Sequence, residues 1–270
     1  MSEKQISIIG CGWLGLPLAK KLISRGYNIK GSTTSVSKLN NLKEVGIKPY
    51  HIQLSESKIT GDIDGFLRDS TIAIINVPPG LRKTPNKDHV AEISHLLKAI
   101  QKASVKHILY VSSISVFEDS VDFPVITNNY APNGTSKSAQ QLIAIEKSIL
   151  APSKTDTSVL RFAGLIDDER HPGNQLAGKT GLLNPKAPLN LIHKEDCINI
   201  ILKILEKKIW GKVLNASYPY HPPKKDYYTA YSESKKLPLP SYDHSQPSKG
   251  KVIDNSELEQ LLHLSLRHRP

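Results

Sequence analysis

Cysteine is scarce in this chain: two in 270 residues, Cys11 and Cys197, too far apart to form a Cys-x-x-Cys pair or any other metal-ligand spacing. No metal site is expected, and a reducing cytoplasm suits such cysteine usage. Long apolar runs are also missing. The first apolar stretch is broken by glycines and by Pro17, so it is not expected to act as a secretion leader, and no later stretch is long enough to span a bilayer. Aromatic residues make up only 6% and are not interleaved with the basic ones. That distribution matters because the formal charge is +11 and the isoelectric point about 9.4, values that could serve nucleic acid. The basic residues are instead scattered in pairs, Lys20-Lys21, Lys207-Lys208, Lys224-Lys225 and Lys235-Lys236. Neither specific nucleic-acid binding nor a membrane partner is expected. A small anionic ligand is, because a basic surface steers phosphorylated cofactors and substrates toward itself.

The stretch that organises the rest is Ile6-Ser7-Ile8-Ile9-Gly10-Cys11-Gly12-Trp13-Leu14-Gly15, an apolar run ending in a Gly-x-Gly-x-x-Gly turn. A strand enters and a helix leaves. The helix is marked by Leu14, Leu18 and Leu22 at helical spacing and stops at Gly26. Gly10 permits the tight turn, Gly12 leaves room for a pyrophosphate, and Gly15 lets helix and strand pack closely. Unpaired N–H groups at the helix start, around Trp13 and Leu14, would face the anion.

Beyond Gly26, residues 27–35 read as a second strand ending in a polar loop, with Lys38 opening the next helix. A site for NAD usually carries an Asp or Glu here for the ribose 2′-hydroxyl. That acid is absent. Thr33, Thr34, Ser35 and Lys38 favour NADP over NAD, although a Ser or Thr capping a helix would give the same pattern. Residues 47–54 are expected as a third strand and Thr71–Val77 as a fourth, apolar on both faces and running into Pro78-Pro79-Gly80. Val77, Pro78 and Pro79 are expected to border the cofactor. A helix over about 86–103, a strand over His107–Ser113, a helix over about 136–150 and a strand over Thr157–Phe162 follow. This alternation predicts an α/β fold, a Rossmann-type doubly wound parallel sheet. Residues 164–191 are rich in Gly, Pro and Asn, as in a segment that folds over a ligand, and 192–217 return to a helix and a strand. The division expected is 1–163 for dinucleotide binding and 164–270 for completing the sheet and forming a small C-terminal substrate-side lobe.

Four stretches together resemble the extended and atypical short-chain dehydrogenase/reductases, the NAD-dependent epimerase/dehydratase-like group. They are Ile9–Gly15, Tyr110-Val111-Ser112-Ser113-Ile114-Ser115-Val116-Phe117, Leu160-Arg161-Phe162-Ala163-Gly164 and Asn190-Leu191-Ile192-His193-Lys194-Glu195-Asp196. The resemblance implies that Ser113 is the serine that hydrogen-bonds the reacting oxygen. It implies that Lys137 is the lysine of the Tyr-x-x-x-Lys motif, which binds the nicotinamide ribose. The tyrosine position, four residues earlier and so expected one helical turn away, is Asn133. An amide can hydrogen-bond but cannot titrate. Tyr130 is the nearest phenol, expected to pack over the cofactor or to act as a displaced acid. His193 and Asp196 are expected to be structural. The function implied is an NADP-binding oxidoreductase or epimerase-like protein acting on a small polar or nucleotide-sugar-like metabolite. The alternative is a non-catalytic dinucleotide sensor.

Overall fold

The computed structural model describes residues 5–81 and 83–270. In chain order the main elements are β1 (Gln5–Ile9), α1 (Gly15–Ser24), β2 (Asn28–Thr33), α2 (Leu39–Glu44), β3 (Lys48–His51), α3 (Ile63–Leu67), β4 (Ile72–Ile75), α4 (His89–Lys102) and β5 (His107–Ser113). They continue as α5 (Lys137–Ile149), β6 (Asp156–Phe162), α6 (Pro172–Leu176), α7 (Lys194–Glu206), β7 (Val213–Ala216), α8 (Lys224–Ser234) and α9 (Ser256–Leu262). The seven strands form one sheet in the order β7-β6-β5-β4-β1-β2-β3. Strand β1 pairs in parallel with both β2 and β4, so the order reverses beside it. Ligands of doubly wound sheets bind at such a switch point, outside the carboxyl ends of the strands.

The chain divides into two compact units, the first comprising Met1–Ser112, Ser136–Leu160 and Ile204–Val213. Its core follows from the sequence pattern. Ile6, Ile8 and Ile74 are fully buried between helices, as are Leu18 and Leu22 of α1, whose stripe was expected. Gly26 ends α1 with φ +81°, the left-handed conformation that glycine adopts without strain. Pro17 sits in the first turn of α1, where no intrahelical N–H is lost. Helices α4 and α5 are tied together by Gln141, which accepts from the His89 N–H at 2.7 Å and donates to the Lys87 carbonyl at 2.9 Å.

One boundary differs from expectation. The third strand ends at His51 because Ile52 turns inward, and Gln53-Leu54 pair antiparallel with Ile59-Thr60 instead. The start of α2 is preceded by a short 3-10 turn, Val36–Lys38, whose last residue, Lys38, is the N-cap of α2.

The second unit comprises Ser113–Thr135, Arg161–Lys203 and Leu214–Pro270. Its glycine-rich stretch is more ordered than its composition suggests. Gly164–Ile166 pair in parallel with Leu191–His193, and α6 lies between them in sequence. The proline-rich connection is pinned by main-chain bonds, Gly178 N–H to the Pro238 carbonyl and Leu182 N–H to the Ser241 carbonyl. Val125-Ile126 pair with Val252-Ile253, and Asn190 bridges the same segment by donating to the Lys251 carbonyl and accepting from the Ile253 N–H. No helix among the described residues is long and apolar enough to cross a membrane.

Candidate functional site

At the carboxyl end of β1 the three glycines have different surroundings. A Cβ on Gly10, whose φ is +97°, would lie 2.4 Å from the Asn76 carbonyl oxygen, with Val77 next nearest at 3.5 Å. A Cβ on Gly15 would lie 2.2 Å from the Gly10 carbonyl oxygen. Both are needed for the protein's own packing. Gly12 is different: it is exposed, and a Cβ there would meet nothing within 4 Å. The turn is fixed by Ser32, whose hydroxyl accepts from the Gly10 N–H and whose carbonyl accepts from the Cys11 N–H, and by Asn76, which donates to the Gly10 carbonyl. The N-cap of α1 is Leu14, whose apolar side chain makes no capping hydrogen bond. An open glycine face beside a helix start whose N-cap side chain is apolar fits the pyrophosphate of a dinucleotide. Trp13 is half-buried and Leu14 buried, so the turn rests on the core. Burial pushes the Cys11 thiol up to about 12, against a hydrogen bond from the Ser32 backbone, so it stays protonated and unreactive.

At the end of β2, Thr33 accepts from the Ser35 N–H at 3.2 Å, and the Ser35 and Ser37 hydroxyls bond to each other at 2.9 Å. Thr34 and Lys38 are exposed. No carboxylate stands in this loop. His51, at the end of the neighbouring β3, approaches the Thr34 carbonyl with Nε2 at 3.2 Å, an imidazole that no motif or spacing singles out.

Beyond β4, Val77 and Pro79 are half-buried and Pro78 is exposed. Near this turn lies a buried ionic cluster. His89 Nδ1 bonds Glu92 at 2.9 Å, and Lys87 pairs with the same carboxylate oxygen at 2.8 Å. Burial lowers the His89 pKa, with Glu92 opposing. Lys137 is exposed at the start of α5 and donates to Asn86 at 3.4 Å. One residue pair of the fifth-strand stretch is plainly structural: Ser112 donates to the buried Glu146 at 2.6 Å.

In the second unit Ser113 is half-buried and caps the 3-10 turn Ile114–Val116, its hydroxyl accepting from the Ser115 N–H at 3.2 Å. Asn133 corrects the expected geometry. Helix α5 starts at Lys137, capped by Ser136, so Asn133 lies ahead of the helix rather than one turn back along it. Its N–H donates to the Val116 carbonyl, and its side-chain carbonyl accepts from the Glu118 N–H at 2.9 Å. Glu118 in turn accepts from both the N–H and the hydroxyl of Thr135, each at 2.8 Å. These donors hold the Glu118 carboxyl below its usual range. Tyr130 packs edge-on against the buried Phe117 at 5.9 Å, and the Arg161 guanidinium lies 5.0 Å over the same ring.

Asp196 is buried and accepts from the backbone of Arg267 and His268 and from His268 Nδ1 at 3.0 Å; His193 stacks on His268. Lys194 pairs with the buried Asp167. Sequence reasoning did not select Ser32, Asn76, Glu118, Asp167 or His171. Their partners are dozens of residues away or depend on turns that no spacing rule encodes. Among the described residues, no group of three or more His, Cys, Asp and Glu side chains could hold a metal ion.

A family model described as NAD(P)H-binding matches residues 10–208. The chain is 29% identical over 258 residues to Protein YeeZ of Escherichia coli (strain K12), covering 94% of this chain and 93% of that protein. Among solved structures it resembles a UDP-glucose 4-epimerase of Thermotoga maritima with UDP-glucose (TM-score 0.80, 15% identity, 98% of this chain and 94% of that one). It also resembles a UDP-glucuronic acid 4-epimerase of Bacillus cereus in complex with NAD (TM-score 0.77, 16% identity, 98% and 94%). At such identities these two establish the fold. Matched over residues 10–208 of its 270, the chain belongs to the NAD(P)H-binding family and has the Rossmann-type fold of the short-chain dehydrogenase/reductases and epimerases.

Proposed function

We propose that the protein is an NADP-using oxidoreductase or epimerase-like enzyme acting on a small polar metabolite, sugar-like or nucleotide-linked. The observation that carries this reading is Gly12: of three glycines in one turn, two are consumed by internal packing and one leaves an open face toward solvent. The turn with Trp13 and Leu14 would hold the pyrophosphate, Thr33, Thr34, Ser35 and Lys38 the 2′-phosphate, and Val77, Pro78 and Pro79 the neighbouring edge. Lys137 would hold the nicotinamide ribose. Ser113 would donate to the substrate oxygen, and Asn133 would offer a hydrogen bond without titrating. Bound nicotinamide supplies hydride exchange. Residues 1–163 would serve the cofactor and 164–270 the substrate. The nucleotide-sugar class is supported by the Thermotoga maritima epimerase, which was solved with UDP-glucose.

A fluorescence titration tests the cofactor assignment. NADPH should bind on the order of tenfold more tightly than NADH, because the 2′-phosphate gains charge-assisted bonds that a hydroxyl does not. Equal affinities, or a preference for NADH, would overturn it. A second reading, a dinucleotide sensor without catalysis, is favoured by one observation: the Asn133 carbonyl is already committed to the Glu118 N–H, as a structural clamp would be. A panel of carbonyl compounds and nucleotide sugars assayed with NADPH separates the two. Tight cofactor binding with no turnover supports the sensor.

A further inference from the structure

The early end of β3 brings two side chains onto one carbonyl of the loop that follows β2. The Ile52 N–H donates to the Thr33 carbonyl at 3.1 Å, continuing the β2–β3 ladder, and the chain then turns into the antiparallel pair of Gln53-Leu54 with Ile59-Thr60. His51 and Gln53 flank Ile52, and in extended chain residues two apart share a face. Both reach the Thr34 carbonyl, His51 Nε2 at 3.2 Å and Gln53 Nε2 at 3.5 Å. A carbonyl only accepts, so the imidazole carries a proton on Nε2 and donates it. The two nitrogens, 3.4 Å apart, are then two donors sharing the two lone pairs of one oxygen. The clamp has a firm base: Gly61, with φ +107°, closes the strand pair so tightly that a Cβ on it would lie 2.1 Å from the His51 carbonyl oxygen. All of these residues belong to the first unit.

We propose that His51 and Gln53 are positioning residues that set the cofactor choice of this protein, by holding the Thr34 carbonyl back from the 2′ position of the adenosine ribose. This rests on the NADP reading, in which the loop after β2 receives the 2′-phosphate. The two cofactors differ in what they can offer a backbone carbonyl. A ribose 2′-hydroxyl can donate to it, whereas a 2′-phosphate is an anionic acceptor and is repelled. The Thr33 carbonyl is tied to Ile52 and the Thr34 carbonyl to the clamp, so the loop is left to show donors. The Thr33 hydroxyl accepts from the Ser35 N–H and keeps its own proton to give. Ser35 and Ser37 share one bond between two hydroxyls, which leaves one of the two protons free. Charge in this stretch favours the anion: between Gly26 and Ser55 the one acidic residue is Glu44, against Lys30, Lys38, Lys43 and Lys48. Gln53 is exposed and His51 half-buried, so neither completes the core. Two neutral donors at so wet a position add little to folding, and their shared contact serves to orient the loop.

Calorimetric titrations of the full chain with NADPH, NADH, adenosine 2′,5′-bisphosphate and 5′-AMP test this. His51→Leu should weaken NADPH and the bisphosphate by about threefold to tenfold and leave NADH and 5′-AMP as they were, since only the phosphate is repelled by a released carbonyl. Gln53→Leu removes the longer bond and should show a smaller loss of the same kind, about twofold. His51→Gln keeps an N–H donor and should restore most of the preference. In cofactor-free protein, nitrogen NMR should show His51 protonated at Nε2, with the signal moving in Gln53→Leu. A neutral ring bare at Nε2 overturns the proposal. So does unchanged NADPH affinity in folded His51→Leu protein, or an equal loss for NADPH and NADH, because a contact that only supports the fold would serve both cofactors alike. Should His51→Leu fail to fold, the ratio of the two affinities in Gln53→Leu decides in the same way. A parent without a preference for NADPH overturns instead the reading on which the proposal stands.

Discussion

The glycine turn of the first unit and the Ser113–Thr135 segment of the second both follow a strand of the central sheet, yet they are held by different means. The turn is fixed by contacts between adjacent strands: Ser32 of β2 accepts from two successive N–H groups, and Asn76 beyond β4 secures the Gly10 carbonyl. The segment is held by side chains drawn from far along the chain. Lys251, buried, donates to the Phe117 carbonyl at 2.8 Å and to Asp119 at 2.7 Å, while Asn215 donates to the Thr127 carbonyl at 3.0 Å. The first arrangement tolerates no added atom in its interior and leaves one face open. The second can be loosened one partner at a time.

Substitutions inside the turn should break this comparison most sharply. Gly12→Val places its side chain in open space, so the fold should survive, while the cofactor loses the space for its pyrophosphate and NADPH affinity falls by about 100-fold or more. Gly15→Val, three residues on, drives its side chain into the Gly10 carbonyl and should cost stability of about 1–3 kcal/mol or more, in addition to any loss of binding. Calorimetric titration and thermal unfolding of the two variants, side by side, give the check. Normal binding by a folded Gly12→Val protein would remove the turn from the site.

Removing a single long-range partner of the second segment should cost less. Lys251→Met keeps the apolar stem but leaves the Phe117 carbonyl without its charged donor and Asp119 without its cation, for about 1–3 kcal/mol. Urea unfolding reads the loss, and an unchanged midpoint would mean that the strand pair Val125–Ile126 with Val252–Ile253 holds the segment unaided. NADPH affinity should not change.

The same contrast explains what could be read from the chain before its structure. The Gly10–Gly15 turn, the α1 stripe and the alternating strands were legible because each depends on neighbours within a few residues or on a periodicity of 2 or 3.6. The end of β3 was missed because Ile52 belongs to the core while the residues beside it join a separate strand pair. For Asn133 the spacing from Lys137 implied a helical turn, whereas the Ser136 cap starts the helix later, and Asn133 lies ahead of it. Nothing local announces that Glu118 reaches Thr135, or that His171 meets Tyr227, 56 residues away.

At the open edge of the first unit, Lys38→Ala should sharpen the cofactor assignment. It should narrow the NADPH preference by up to about tenfold, worth about 1.4 kcal/mol, and leave NADH affinity as it was. Since Lys38 is exposed and its side chain makes no capping hydrogen bond at the start of α2, the fold should be indifferent to the change. An equal loss for both cofactors would place Lys38 against a group that they share, and a phosphate other than the 2′ one would then be its partner.

The smallest effect belongs to the Asn133 clamp, and it has a pH signature. Asn133→Ala removes the acceptor of the Glu118 N–H at an exposed position, for roughly 0.5–1.5 kcal/mol. The Glu118 carboxyl is depressed in the folded protein by the two Thr135 donors. Its contribution is therefore present above the ordinary glutamate range and is lost as pH falls through the lower folded value. Glu118 is solvent-exposed, so the stabilisation is weak, but its direction is definite. Carbon NMR of the Glu118 carboxyl should follow the titration, with the midpoint moving back up toward the ordinary glutamate range in Thr135→Val, which removes the hydroxyl donor. In Asn133→Ala the midpoint should rise less, because both Thr135 donors remain and only the backbone anchor of the loop is gone. A larger shift in Asn133→Ala than in Thr135→Val would show that the amide, and not the threonine, sets the position of the loop that carries Ser113.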